Sequence, residues 1–338
     1  VSDGDDVFAA RLTRLDEHRA DGAVRSVAGV DYASCPPPVD GRWAPVYLDR
    51  GYPRLLVSGD RVLFSDPACG VWSVSRADGR ARALLASPYR DPRWGGRPGP
   101  RWHTTSPIAV APLGEDLAVC LTVDRFRERY SGATEEPDRI ELWRVRADGA
   151  ASEKLASLEP RDEHCTHALA DGRAVYLATD HAIYRYDLAG RALRVLTTDA
   201  GTSFGGGLWG LAQDGGSLYL LRGAAIERVA KDGSSRMVLL QRPRPQDPGR
   251  AAIAADGEHL YWVEGPALKR MPKAGGTPQT IVDGDENRWV VPTSFAFTSS
   301  HVWFQRAERA AARSVHDPET GLTLDDVDVL FSLERVAR

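Results

Sequence analysis

The sequence predicts an all-β fold, namely a six-bladed β-propeller of four-stranded blades that is closed by an N-terminal strand. One observation is a pair of alternating runs, HLYWV and ALKRM, that flank a Gly265-Pro266 turn within residues 255–276. This pattern is typical of a β-hairpin. A second is recurrence, because strands like the one around Tyr261 lie 42 or 43 residues apart in the second half of the chain. Asp-Gly turns accompany them. Such a period, with four strands per unit, is typical of propeller blades.

The anchors of the six predicted units are Phe64, Cys120, Tyr176, Tyr219, Tyr261 and Trp303. The third unit shows the predicted blade most clearly, with strands at 166–170, 174–179, 182–187 and 192–197. We expect Gly172 and Gly190 to supply the positive φ that tight hairpin turns need. Six units account for the repeats, so six blades are preferred over seven.

The two ends of the chain are expected to share the last blade. Its predicted strands lie at 291–297, 302–305 and 327–333, and no fourth strand follows them. Residues 20–30 match the turn and outer strand of the other blades, so they are predicted to close the ring and to leave no open edge. Residues 1–338 are then a single propeller domain. Residues 1–19 are an N-terminal extension of uncertain structure, with features of both a helical stripe and a strand.

Composition narrows the classes of function. The net charge of -4 argues against a general affinity for nucleic acid or an anionic membrane. No apolar run is long enough for a membrane span, and the start at Val1 suggests a processed form. Four cysteines without C-x-x-C spacing suit two disulfides in an exported protein, periplasmic or extracellular. The alternative is four reduced thiols packed as small apolar side chains.

The cysteines suggest two pairings. Cys120 lies in the second strand of the unit before Cys165, so a disulfide between them is geometrically reasonable. Cys35 and Cys69 both fall in loops on one face and form the other candidate pair. For an exported chain, structural pairing is preferred over a nucleophilic role for Cys165 beside His164 or His167.

The LYWV run of the fifth unit, with the tyrosine of its second strand, resembles the YWTD repeats of low-density-lipoprotein-receptor-type six-bladed propellers. The repeats also resemble those of periplasmic TolB-like propellers and related bacterial proteins. The resemblance covers most of residues 20–338. It implies a bacterial protein that binds other proteins rather than a catalyst.

Extra chain length is predicted at one end of the blades. Loops from the fourth strand of one blade to the first of the next (d–a loops) emerge there, together with loops from second to third strands (b–c loops). The long d–a segments are 30–50, 87–104 and 241–250, and the long b–c segments are 124–138 and 306–326. Insertions on one face of a repeat fold usually mark the binding face.

Arginine and aromatic residues dominate these insertions and are enriched at binding hot spots. The predicted binding residues are Trp94, Arg97, Trp102, His103, Arg125, Arg127, Tyr130, Arg250 and Trp289. The expected ligand is a protein, peptide or glycan, and no cofactor is predicted. The alternative role for the tryptophans is to pin long loops by burying apolar area.

Two alternatives to a binding protein stay open. His103, His164 and His167 are expected on the same face and would suit a divalent metal at the channel mouth, as in a metal-dependent lyase or hydrolase. The strand alternation around His164 and His167 argues against their convergence. The second alternative is a structural component of an envelope assembly. The glycine-rich segment 202–210 precedes a predicted strand rather than a helix, so it is not a phosphate-binding loop.

Overall fold

The computed structural model describes the chain as two compact units, Val1–Thr202 and Ser203–Arg338. The residues that it describes are 2–3, 6–11, 14–19, 21, 23–29, 54–58, 60–66, 70–85, 102–103, 109–129, 132–159, 164–179, 181–198, 208–223, 225–242, 252–298, 300–309, 313–316, 323–326 and 329–338. These residues form strands and turns and contain no helix, so none of them builds a helix that could cross a membrane.

The first unit contains four antiparallel sheets, each with consecutive strands in chain order. Sheet A consists of β1 (Ser2–Asp3), β2 (Asp6–Arg11), β3 (Arg14–His18) and β4 (Val24–Gly29). Sheet B consists of β5 (Arg54–Ser58), β6 (Arg61–Asp66), β7 (Gly70–Ser75) and β8 (Ala81–Leu85). Sheet C consists of β10 (Ala109–Leu113), β11 (Asp116–Arg129), β12 (Gly132–Arg146) and β13 (Ser152–Leu158), with β9 (Trp102–His103) beside β11. Sheet D consists of β14 (Cys165–Ala170), β15 (Ala174–Thr179), β16 (Ala182–Asp187) and β17 (Ala192–Thr198).

The second unit repeats the arrangement. Sheet E consists of β18 (Leu208–Gln213), β19 (Ser217–Arg222), β20 (Ala225–Ala230) and β21 (Arg236–Gln241). Sheet F consists of β22 (Ile253–Ala255), β23 (His259–Glu264), β24 (Ala267–Pro272) and β25 (Gln279–Val282). Sheet G contains β26 (Arg288–Phe297), β27 (His301–Arg309) and β30 (Val329–Ala337), and a hairpin of β28 (Arg313–His316) and β29 (Thr323–Asp326) falls between β27 and β30.

Each of the sheets A to F contains four consecutive antiparallel strands, to which β9 is added in sheet C, and the predicted all-β, six-bladed propeller class is confirmed. The correspondence differs at the two ends of the chain. Residues 1–19, predicted as an extension, contribute three strands of sheet A, and sheet G has three strands among the described residues. The predicted closing strand is β4, which pairs with β3 as the last strand of sheet A.

A recurrent side-chain turn joins the first two strands of sheets D, E and F. In sheet E, Oδ1 of Asp214 accepts the backbone N–H groups of Gly216 and Ser217 at 3.0 and 2.9 Å, and the Tyr219 hydroxyl donates to Oδ2 at 2.7 Å. The pairs Asp171–Tyr176 and Asp256–Tyr261 repeat the hydroxyl bond at 3.2 and 2.9 Å. The tyrosine anchors of the repeat therefore mark a buried hydroxyl that closes each turn.

Glycine conformation agrees with the prediction in some turns and not in others. Gly79, Gly149 and Gly233, in the third-to-fourth-strand turns, have positive φ values of 69°, 64° and 82°. Gly172 and Gly190 do not, so the prediction for these two residues was wrong. Asp side chains close both turns by accepting backbone N–H groups, and in the turn at Gly190 the residue with positive φ is Arg191, at 50°.

Burial decreases from the inner strands to the outer strand of a blade. All six residues of β15 are buried, whereas β17 and β21 are exposed or half-buried along their length. Apolar layers lie between consecutive sheets within a unit. One joins sheets B and C, one C and D, one E and F, and one F and G. Tyr261 and Trp262 are 1% and 0% exposed, so both faces of β23 are packed.

Candidate functional site

Two strands of sheet C extend beyond the rest of their sheet. β11 and β12 contain 14 and 15 residues and pair as far as Arg129↔Gly132. β10 pairs with β11 only to Cys120, and β13 pairs with β12 only to Ile140. The register shifts between Val123 and Asp124, and such a bulge bends and twists a strand pair. We call residues 124–129 and 132–137, together with β9, the ribbon.

The ribbon joins two segments that are separate in sequence. β9 pairs with β11 so that Trp102 lies opposite Arg125 and His103 lies opposite Asp124. The d–a segment 87–104 and the b–c segment 124–138 are therefore connected by backbone hydrogen bonding. Arg127 follows two residues after Arg125 and lies opposite Thr134. Four of the predicted binding residues are thus brought together on one three-stranded element.

Of the other five predicted binding residues, only Trp289 is among the residues that the structure describes. Trp94, Arg97, Tyr130 and Arg250 lie outside the described residues, as do Cys35 and Cys69. Trp289 is half-buried in β26, where it lies opposite Ala307.

The predicted histidine cluster is only partly described. The backbone of His103 is in β9, whereas His164 and His167 flank the start of β14. The Nδ1 atom of His167 lies 3.0 Å from the hydroxyl of Thr166, which itself donates to the carbonyl of Ala178. In the part of the chain whose side chains are described, no three His, Cys, Asp or Glu side chains gather as metal ligands would.

The predicted disulfide between Cys120 and Cys165 is confirmed and links sheet C to sheet D. Both residues are 0% exposed and belong to the apolar layer between the two sheets. The backbone N–H of Cys165 also donates to the hydroxyl of Thr122 at 2.9 Å. With its sulfur consumed and buried, Cys165 is a structural residue and not a nucleophile.

Sheets E and F also contain a chain of ion pairs that no sequence pattern predicted. Glu227 accepts from Arg222 and Arg236, and Glu264 accepts from Arg242 at 2.8 Å and from Lys269 at 2.5 Å. These groups lie at the end of the strands where b–c and d–a loops emerge.

Arg242 is the most deeply placed member of this chain. Its side chain is 2% exposed, lies over the Trp209 ring at 5.4 Å and donates to the backbone oxygen of Arg222 at 2.9 Å. Burial raises the pKa of Glu264, but the bonds from Lys269 and Arg242 outweigh it, so that pKa is lowered. Each carboxylate is shared by two cations, so these ion pairs can fix the ends of the strands.

A cavity of about 530 Å³ lies at the corresponding end of sheets F and G. Ile281, Val282, Phe304 and Val336 supply its apolar lining. At its rim, Glu334 accepts from Arg288 at 2.8 Å and from Arg306 at 2.9 Å. Burial raises the pKa of Glu334, and the two arginine bonds outweigh that effect and lower it. The full lining carries three carboxylates and three arginines, namely Asp283, Asp285 and Glu334 against Arg288, Arg306 and Arg335, so its formal charges balance.

Comparison with known proteins gives the fold class only. No protein-family model matches the chain, and no curated protein sequence matches it. Among solved structures, oligogalacturonate lyase in complex with manganese aligns with a TM-score of 0.55 at 13% identity, covering 86% of this chain and 79% of that one. The computationally designed protein Ika8 aligns with a TM-score of 0.50 at 11% identity, covering 89% and 81%. A nidogen–laminin complex aligns with a TM-score of 0.48 at 13% identity, covering 80% and 89%.

The likenesses with TM-scores of 0.55 and 0.50 concern the fold, and they agree with the propeller resemblance drawn from the repeats. At such identities they say nothing about which ligand this chain binds.

Proposed function

We propose that this protein is an exported, non-catalytic binding protein that holds a protein, peptide or glycan partner at the ribbon. The observation that carries the proposal is the pairing of β9 with β11, which gathers Trp102, His103, Arg125 and Arg127 from two separate insertions. Tryptophan and arginine are the residue types that dominate binding energy at protein interfaces.

The geometry of the ribbon supports a binding role. A paired ribbon is more rigid than a loop of equal length, so binding to it costs less conformational entropy. The four-stranded part of sheet C also does not require the ribbon, because β10 and β13 pair with the parts of β11 and β12 that precede the ribbon in the sheet. A long element that the fold does not require is a reasonable place for function.

The Cys120–Cys165 disulfide supports export, because such bonds persist in oxidising compartments such as the periplasm or the extracellular space. We include residence outside the cytoplasm in the proposal on this ground.

The experiment that tests the binding role is removal of the ribbon. In one variant, residues 125–136 are replaced by an Asn-Gly turn, which leaves the pairing between Asp116 and Val123 in place. Purified wild-type and variant chains are immobilised, and partners are captured from the extracellular and periplasmic fractions of the source cells. We expect the partners captured by the wild type to be absent from the variant.

Two controls make the outcome decisive. Arg80→Ala alters a side chain that is 87% exposed in a turn at the opposite end of sheet B, and it is expected to retain capture. Thermal unfolding of the ribbon variant must match the wild type. Full capture by a folded chain without the ribbon would refute the proposed site.

A further inference from the structure

The register of the ribbon separates its charges onto two faces. Successive residues of a strand lie on opposite faces, and directly paired residues share a face. Arg125, Arg127 and Arg129 therefore lie on one face, together with Trp102 and Glu136. Asp124, Glu128 and Glu135 lie on the other, together with His103 and Phe126. One face thus carries three arginines against one glutamate, and the reverse carries three carboxylates and no Lys or Arg.

The arginines also differ in their cross-strand positions. Arg125 is paired with Glu136, an opposite charge. Arg127 and Arg129 are paired with Thr134 and Gly132, neither of which carries a charge. Like charges at alternate positions of one strand repel each other when no anion lies between them. The cationic surplus is therefore concentrated near the tip of the ribbon.

We propose that the arginine face of the ribbon binds an acidic segment of a partner polypeptide in an extended conformation. This inference rests on the proposed function, because it names the class of partner that the ribbon holds. Arginine recognises carboxylates through paired, charge-assisted hydrogen bonds. Trp102 occupies the register position opposite Arg125, and tryptophan and arginine are both enriched at hot spots.

Spacing favours a polypeptide as the source of the carboxylates. Alternate residues of a strand are roughly 7 Å apart, so Arg125, Arg127 and Arg129 form a row with that repeat. An extended peptide with acidic residues at every second position has the same repeat. The acidic reverse face repels the same segment, so it restricts the partner to one side of the ribbon.

The test uses the full chain and labelled synthetic peptides, with binding followed by fluorescence anisotropy. The first peptide alternates Thr and Glu, the second has Gln in place of every Glu, and the third has the composition of the first with its Glu residues in one block. A short polyuronate is the carbohydrate probe. We expect the alternating acidic peptide to bind at least about tenfold more tightly than the other two peptides.

Variants assign the binding to one face. The double substitution Arg127→Gln with Arg129→Gln is expected to weaken binding of the alternating acidic peptide at least about tenfold. Glu128→Gln with Glu135→Gln, on the reverse face, is expected to retain or slightly strengthen binding. Rising ionic strength is expected to weaken binding, because charge pairs in water are screened.

Each contrary result has a distinct meaning. Equal binding of the Gln peptide, or full binding by the arginine variant, overturns the acidic-segment inference. Binding of the polyuronate without the peptide also overturns it, in favour of an acidic glycan. A natural partner whose capture needs the ribbon but is unaffected by Arg127→Gln with Arg129→Gln preserves the proposed function and refutes the inference alone.

Discussion

Asp214 offers the sharpest test of how the blades are held together. Its Oδ1 atom closes the turn between β18 and β19, and its Oδ2 atom accepts from Tyr219 and from Lys273, whose Nζ lies 3.0 Å away. Lys273 belongs to sheet F, so one carboxylate links two sheets. Asp256 repeats this arrangement with Arg338 of the next sheet, at 2.6 Å.

The expected cost of Asp214→Ala follows from the groups that lose their acceptor. The Tyr219 side chain is buried, with the residue 2% exposed, and a buried hydroxyl without a partner costs about 1–3 kcal/mol. Lys273 is 19% exposed, so water replaces part of its ion pair and the loss is about 1 kcal/mol. We therefore expect the free energy of unfolding to fall by about 2–4 kcal/mol. Asp214→Asn keeps an acceptor for the turn and is expected to cost less.

Urea unfolding followed by tryptophan fluorescence measures these differences. The matched control is Asp285→Ala, since Asp285 closes the same kind of turn through Asn287 and Arg288 but has Val290 where the other turns have tyrosine. We expect a smaller loss for the control. Equal losses in the two variants would refute the claim that the tyrosine and lysine bonds, rather than the turn itself, carry the energy.

The pH dependence gives an independent check on the same residue. Burial raises the pKa of Asp214, but the bonds from Tyr219, Lys273 and two backbone N–H groups outweigh it and leave the pKa well below its usual range. The stabilisation is therefore present above the pKa of the unfolded chain, near 3.9, and is lost as pH falls toward the folded value. The difference in unfolding free energy between wild type and Asp214→Asn should shrink below about pH 4.

Three further predictions concern other parts of the fold. Gly284→Ala places a Cβ against the Pro266 carbonyl and 2.8 Å from the backbone oxygen of Arg288, so a clear fall in Tm is expected, whereas Gly257→Ala meets no atom within 4 Å and should have little effect. Reducing the disulfide between sheets C and D, which spans a sequence separation of 45, should lower the unfolding free energy by about 4 kcal/mol in the chain-entropy treatment; unchanged urea midpoints with and without reductant would contradict this. Burial and the nearby Asp171 charge raise the pKa of Tyr176 to about 12, so ultraviolet titration should find this phenol protonated at pH 11, and the stability it contributes is lost between about pH 10 and 12.

The blades could be predicted where one face of each strand is apolar. The predicted strands at 174–179 and 182–187 coincide with β15 and β16, whose residues are mostly buried. Residues 6–18 resisted prediction because Phe8, Leu12 and Leu15 also fit a helical stripe. The structure resolves this in favour of β2 and β3, which pair with each other, and β3 pairs in turn with β4.

The location of the candidate site could be predicted from the sequence, whereas its strand structure could not. The segments 87–104 and 124–138 were predicted as insertions on a binding face, whereas much of the second is regular strand. The run DRFRER has polar residues at both alternating sets of positions, so no apolar period marks it as a strand. The ion pairs of Arg242 and Glu264 were missed for another reason, since they join residues 22 apart through tertiary packing.

The Asp–Tyr turns and the ribbon lie at opposite ends of the strands in their sheets. The Asp–Tyr turns lie where first and second strands meet, whereas the ribbon extends from where second and third strands meet. A partner that binds the ribbon therefore does not need to contact the carboxylates that close the turns. Substitution of Arg127 or Arg129 should alter binding without altering the unfolding free energy, and Asp171→Asn should do the reverse. If a ribbon substitution and a turn substitution shift both quantities together, binding and scaffold are coupled through sheet C, and the ribbon cannot be treated as an element added to a self-sufficient blade.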